Sequence, residues 1–464
     1  MLTVLEILII ASIIPVIIWA LLPVKQVPRV LDFMPAAGVI FLILHLFIDN
    51  EAVKIRFVPL YIFTITLFLV TLVRLFRHNP NQPKHRIPAG IGRIFALLAL
   101  ALCVIFPTVV LPFQSLPQPT GKYNLGTVVC DLTDNNREEA FTPESGDPRK
   151  IVVQFWYPAE TDINSEYGVS NAPLAKTQDS YPVLIFSHGA FGVRNSNASA
   201  CRELASHGYI VVSLDHTYHS FYTAFSDGSK VIVDTKFIND ALNASSGKMD
   251  PKEEYTASHN WLNLRTADIE FVIDSLKSGD IGVAGELLSG HMDLTNIGLF
   301  GHSMGGAASA QVTRDRDEVK AAIVIDGTLL GDITGLDSNN NGIVTNKAFT
   351  KPLLQMYNGS FLNPEAKKTS YLPNINAYNN ATAAAYSLCI KDSGHLNFTD
   401  LPRISPILSK MLGTGTVDPY ECIKLVNGYS LAFFDKHLKG QPSELLDGST
   451  ATDKVIFDTR NRTK

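Results

Sequence analysis

Cysteine is scarce in this sequence, five residues in 464. That count excludes a small disulfide-stapled scaffold, and the irregularly spaced Cys130, Cys201, Cys389 and Cys422 are expected to be free, buried thiols. Internal repeats and low-complexity tracts are missing, which excludes a solenoid array and disorder throughout. A basic patch is missing too. The chain carries 39 Lys and Arg against 44 Asp and Glu, a formal net charge of −5. It offers no electrostatic footprint for nucleic acid.

The charge that is present is unevenly placed. Residues 1–114 hold nine Lys/Arg and four Asp/Glu, and the remaining 350 hold 30 and 40. One uniform soluble domain is excluded by that split. The first part carries four apolar runs, 2–22, 31–48, 57–76 and 94–113. Each is close to the ~20-residue helix that crosses roughly 30 Å of hydrocarbon, and a helix satisfies its own backbone in lipid. The second run contains Asp32 and His45, so interfacial or re-entrant placement is its alternative. Glu6 lies near the end of the first run, within reach of an interface. A signal peptide is disfavoured there because no basic stretch precedes the run and further runs follow. Loops one and three hold Lys25, Arg29, Arg74, Arg77, Lys84, Arg86 and Arg93, against Lys54 and Arg56 in loop two. Residues 1–114 are therefore expected to be a multi-pass membrane region, with the domain 115–464 on the extracytoplasmic side.

Beyond a linker at 114–121, short apolar strands alternate with helical stretches. Residues 151–157, 183–186, 210–214, 296–300, 321–325 and 353–357 read as strands, and 264–276 has apolar residues at helical spacing. An α/β fold follows, with a mostly parallel sheet covered by helices on both faces.

The motif Gly301-His302-Ser303-Met304-Gly305-Gly306 stands between the strand 296–300 and a small-residue helical stretch. A sharp strand-to-helix turn needs glycine on either side and leaves the serine hydroxyl exposed, the context of a nucleophile elbow. A serine hydroxyl is a weak nucleophile until a base takes its proton and an acid orients that base. Asp326 ends the strand 321–325, 23 residues after Ser303, and is the candidate acid; a turn-forming Asp-Gly pair is its plain alternative. His395, in Ser393-Gly394-His395-Leu396-Asn397-Phe398, is the candidate base. The developing oxyanion needs two backbone donors, expected to be Met304 N–H and Ala190 N–H, the latter in the turn Phe186-Ser187-His188-Gly189-Ala190-Phe191-Gly192. His188 is expected to shape that turn.

At this point the chain resembles the α/β-hydrolases of the plasma-type platelet-activating-factor acetylhydrolase and dienelactone-hydrolase-like family. The matching stretches are Phe155-Trp156-Tyr157-Pro158, Phe186–Ala190, Leu204-Ala205-Ser206-His207-Gly208-Tyr209, Gly301–Gly306, Ile325-Asp326-Gly327 and Gly394–Phe398. The resemblance implies an α/β-hydrolase fold, a catalytic Ser303/Asp326/His395 triad, chemistry without a cofactor, and oxyanion donors at Ala190 and Met304. The membrane part is not shared with the secreted enzymes, and Asp215-His216-Thr217-Tyr218-His219 departs from the animal pattern. Phe191, His216, Tyr218 and His219 are expected to line the substrate pocket; a structural polar network is the alternative for His216, Tyr218 and His219.

Asp337, Asn339 and Asn341, followed by Gly342, resemble the start of a calcium loop, but position 12 is Ala348, without the bidentate carboxylate. An ordinary Asx-rich turn without a metal is the expected reading, and calcium is its alternative. The expected function is that of a membrane-anchored serine esterase acting on carboxylic esters, with short-acyl phospholipid or another amphiphilic ester as the fitting substrate. Its partners are then the ester and the bilayer, with no nucleic acid. The rival expectation is a non-catalytic membrane receptor or scaffold with a hydrolase-like binding domain.

Overall fold

The computed structural model describes residues 4–21, 30–48, 57–76, 89–110, 116–165, 167–448 and 453–460. The chain divides into two compact units, residues 1–114 with 404–408, and residues 115–403 with 409–464.

In the first unit the apolar runs form helices α1 (Val4–Leu21), α2 (Val30–Ile48), α3 (Val58–Phe76) and α4 (Ala89–Val110). Ile9, Ile13 and Ile17 recur every fourth residue on α1 and pack with Leu42, Leu60, Tyr61 and Leu100, the stripe expected of a packed helix face. The outward faces are apolar as well, with Ile40, Phe47, Val70 and Leu102 exposed. Among the described residues one helix, over Val30–Phe47, is long and apolar enough to cross a bilayer. The apolar stretches Val4–Ile18, Val58–Val73 and Leu98–Val110 are shorter. The expectation of four crossings is thereby reduced to one that meets the length criterion, in the run that holds Asp32 and His45. Glu6 also departs from expectation. It is fully buried, 4.0 Å from the buried His45 imidazole, which hydrogen-bonds the Tyr61 hydroxyl. The loops that carry Lys25, Arg29, Lys54, Arg56, Arg77, Lys84 and Arg86 lie outside the described residues, as does the start of the linker.

The second unit is built on a ten-stranded sheet: β1 (Asn124–Glu138), β2 (Pro148–Ala159), β3 (Val169–Ser170), β4 (Tyr181–Ser187), β5 (Ile210–Asp215), β6 (Met292–His302), β7 (Val319–Ile325), β8 (Leu353–Tyr357), β9 (Ala385–Ile390) and β10 (Val455–Arg460). Their order is β10-β9-β8-β7-β6-β4-β5-β2-β1-β3. The strands from β5 to β9 run parallel, while β2 and β10 pair antiparallel at the two sides. Every residue of β4, β5 and β8 is buried, as a parallel sheet covered on both faces requires.

The covering helices are α5 (Ala198–Ser206), α6 (Thr235–Ser245), α7 (Pro251–Ser278), α8 (Met304–Asp315), α9 (Leu372–Asn379) and α10 (Pro419–Leu438). Consecutive strand residues point to opposite faces, and the two cores follow from that alternation. Phe186, Phe300 and Ile323 pack under α5 and α10, against Leu204, Phe433 and Phe434. Ile185, Leu299 and Val212 pack under α7 and α8, against Ile269, Val272, Ala308 and Val312. Helix α7 is set by strong end signals: Asp250 accepts from Lys252 and Glu253 N–H, Pro251 opens the first turn, and Gly279 closes it in the left-handed conformation. The chain order reverses around β4, and ligands of open α/β sheets bind beyond the carboxyl ends of strands at such a point.

Candidate active site

The strand β6 ends at His302 and α8 begins at Met304, leaving Ser303 alone in the turn with φ 54° and ψ −123°. Left-handed backbone at a residue with a side chain is strained, by roughly 1–3 kcal/mol, and persists where the surroundings enforce it. Ser303 N–H donates to Ile325 O at 2.8 Å, and Gly306 N–H to Ser303 O at 2.9 Å. The glycines leave no alternative. A Cβ on Gly301 would sit 2.4 Å from Gly305 C, and one on Gly305 only 2.0 Å from Ser187 O.

Asp326 follows β7, also with positive φ, 51°. Its carboxylate is buried and receives three hydrogen bonds: Asn358 N–H at 2.8 Å, the Asn358 side-chain amide at 2.7 Å and His395 Nδ1–H at 2.6 Å. Burial opposes ionisation, but the donors, His395 foremost, outweigh it and hold the carboxyl below its usual range. The same pairing raises the His395 imidazole above its ordinary value against the opposing effect of burial. The His395 side chain is 44% exposed and the Asp326 side chain 1%. His302, behind the elbow, donates through Nε2 to His395 O at 3.1 Å, and burial pushes its own pKa down to about 3.

Ser303, Asp326 and His395 line one crevice of about 270 Å³. Met304 is on its wall, together with Thr328, Leu330, Asn358, Ser370 and Tyr371. Ala190 is half-buried beside it, one residue after Gly189, where a Cβ would reach 2.8 Å from the His302 ring and 3.2 Å from Ser303 Cβ.

The four residues expected to line the pocket are placed elsewhere. His216 is fully buried, with Nδ1 3.0 Å from Asp268 and Nε2 2.8 Å from Ser187 Oγ. His219 stacks on Phe237 with ring centroids 3.8 Å apart, and burial lowers its pKa to about 2. Phe191 packs on the same Phe237 at 5.3 Å. Tyr218 stacks on Phe141 and lines a separate crevice with Glu139, Asp147 and Lys150. The stretch Asp215–His219 leaves the carboxyl end of β5 and turns inward, so its polar groups become a buried network. Asn358 and Tyr371 were not singled out in the sequence; the position of Asn358, immediately after a buried parallel strand, is the signal that could have found it.

The stretch beginning at Asp337 forms an Asx-rich turn. Asp337 turns its carboxylate to Asn339 N–H, Asn341 N–H and the Asn341 side-chain amide, at 2.8, 2.8 and 3.1 Å, within a short hairpin. Among the described residues no cluster of His, Cys, Asp and Glu has metal-ligand geometry.

Residues 163–450 match the family described as platelet-activating factor acetylhydrolase, isoform II. The chain belongs to that family. It is 27% identical over 280 residues to the platelet-activating factor acetylhydrolase of Cavia porcellus, a match covering 58% of this chain and 60% of the relative. A probable 1-alkyl-2-acetylglycerophosphocholine esterase of Arthroderma benhamiae is 23% identical over 420 residues, 78% of this chain and 98% of that protein. Among solved structures, a ferulic acid esterase from Streptomyces cinnamoneus superimposes with a TM-score of 0.58 at 27% identity, covering 74% of this chain and 99% of that one. The family and the fold neighbour are both named for ester or acetyl hydrolysis.

Proposed function

We propose that the chain hydrolyses carboxylic esters through an acyl-enzyme on Ser303. The observation that carries the reading is the His395 Nδ1–Asp326 hydrogen bond of 2.6 Å on the wall of the crevice that also exposes Ser303. With Nδ1 held by the carboxylate, Nε2 is the nitrogen free to take the Ser303 proton as the hydroxyl attacks the ester carbonyl. The tetrahedral oxygen is stabilised by Met304 and Ala190 N–H, and His395 returns the proton to the leaving alcohol. A water then repeats the sequence on the acyl-serine, releasing acid and regenerating the hydroxyl.

A crevice of about 270 Å³ lies below the roughly 300–1,000 Å³ of common ligand sites. That favours a short acyl group, in keeping with the acetyl esters named for the relatives, and a phospholipid of that kind is the substrate we propose. Attachment to a bilayer is part of the same proposal, supported by the apolar length of Val30–Phe47.

The test is turnover of p-nitrophenyl esters of graded chain length and of sn-2 acetyl phospholipid, together with fluorophosphonate labelling, in the native chain and in Ser303→Ala. Labelling and hydrolysis lost together in the variant support the reading. A folded native chain that neither reacts nor turns over any of these esters favours the receptor instead.

A further inference from the structure

Beneath the turn that carries Ala190 lies a buried guanidinium that the mechanism above does not use. Arg265 projects from the middle of α7 and is fully buried. Its Nη1 donates to His188 O at 2.5 Å and its Nη2 to Gly189 O at 3.3 Å. Nearby Asp268 is taken up by others: both of its oxygens receive Arg149, at 2.8 and 2.7 Å, and one also meets His216. The hydrogen bonds of Arg265 among the described residues go to backbone carbonyls. Burying a cation there is costly, and the two carbonyls together with the nearby Asp268 charge offset only part of that cost.

We propose that Arg265 is a positioning residue for the oxyanion hole. The proposal rests on the Ser303 reading above. A trans peptide is planar, so its C=O and N–H point in opposite directions. Fixing Gly189 O on the guanidinium turns Ala190 N–H the other way, and Gly189 itself abuts Ser303. The rigid fork of arginine spans two consecutive carbonyls and so sets two peptide planes at once, which a lysine point charge cannot do. His188 assists: its Nδ1 donates to the same Gly189 O at 2.6 Å, and its Nε2 is held by Ser220 at 2.7 Å. Phe191, next in the turn, has φ 59°, a strained conformation of the kind that surrounding contacts must enforce.

The test compares native full-length chain with Arg265→Lys and Arg265→Met. Loss of a preorganised oxyanion donor lowers kcat by roughly 100- to 1,000-fold. We expect a fall in that range for Arg265→Met, a smaller one for Arg265→Lys, and KM within twofold in both. Affinity for a trifluoromethyl ketone, which adds to serine as a tetrahedral oxyanion, should fall by the same factor as kcat, while a non-reactive ester isostere binds unchanged. Unaltered ketone affinity, or a loss confined to KM, overturns the proposal. Should the variants not fold, the structure of the native chain with the ketone decides. The hemiketal oxygen should lie within hydrogen-bond distance of Ala190 N, with Gly189 O still on Arg265; an oxygen placed elsewhere overturns the assignment of Arg265 alone. A ketone that does not attach to Ser303 at all overturns the underlying mechanism instead.

Discussion

Asn358 grips Asp326 with both of its N–H groups, backbone to one carboxylate oxygen at 2.8 Å and side chain to the other at 2.7 Å. It stands at the end of β8, next to β7, so the parallel pairing of the two strands brings it to the carboxylate. The two donors leave Asp326 Oδ2 facing the imidazole and keep the carboxyl ionised. A hydrogen bond to a charged group contributes about 1.5–3 kcal/mol.

Asn358→Ala should therefore lower kcat by roughly tenfold, the equivalent of about 1.4 kcal/mol, with little change in KM. Asn358→Asp should be worse, because a second carboxylate against Asp326 raises the pKa of the pair. Steady-state kinetics on a soluble p-nitrophenyl ester checks both; equal activity in Asn358→Ala and the native chain would show that Asp326 needs no such support.

The elbow makes a second prediction in the opposite direction, on stability. Ser303 sits at φ 54°, where a Cβ costs roughly 1–2 kcal/mol that glycine does not incur. Ser303→Gly should be more stable than Ser303→Ala by about that amount while both are inactive. Denaturant unfolding of the second unit's tryptophan signal measures the difference. Identical midpoints for the two variants would remove strain from the account of the elbow.

Much of the candidate site's geometry was legible in the sequence because the elbow depends on local backbone. Gly301, Gly305 and the following helix announce the turn at Ser303, and Asp326 follows a strand that its own Val and Ile content reveals. The crevice wall was not legible. Thr328, Leu330, Ser370 and Tyr371 meet only through the crossing of loops from different strands, and no period in the chain records that. His216 and His219 illustrate the reverse error, since polar residues after a strand suggest a pocket, yet here Asp268 on α7 holds His216 in the interior and Phe237 stacks on His219. Strands β1 and β10 also escaped notice. The first is rich in Thr, Asp and Asn, and both pair at the sheet's margins, where polar residues are tolerated. In the first unit, composition marked the helices, but the enclosure of Glu6 beside His45 depends on how those helices pack.

Glycine substitution offers a matched pair. A Cβ on Gly327 would lie 2.2 Å from Ser303 O, whereas Gly428, within α10, has nothing within 4 Å. Gly327→Ala must push the elbow backbone aside, and overpacking of this kind costs typically 1–3 kcal/mol or more. Gly428→Ala should instead stabilise by about 0.5–1 kcal/mol through helix propensity. Thermal unfolding of the two variants in parallel gives the sign of each, and activity should be lost only in Gly327→Ala.

The pH dependence follows from the pair His395–Asp326. In the proposed mechanism His395 must be neutral to accept the Ser303 proton, and its pKa is raised above the ordinary 6.5 by the Asp326 hydrogen bond and charge. Activity should therefore fall on the acid side of a midpoint above 6.5, as the imidazole becomes protonated. Stability runs the other way. A group whose folded pKa exceeds its unfolded value contributes stability that is fully present below the unfolded pKa and lost as pH rises through the folded one. The pair thus stabilises the fold most where the enzyme is least active. Asp326→Asn removes the charge and keeps the shape, so it should shift the acid limb of kcat/KM to lower pH and abolish the gain in stability on acidification across that window. A pH–rate profile beside unfolding midpoints at pH 5.5 and 8 would test both halves. An acid limb that stays in place in Asp326→Asn would mean that the titrating base is not the imidazole held by this carboxylate.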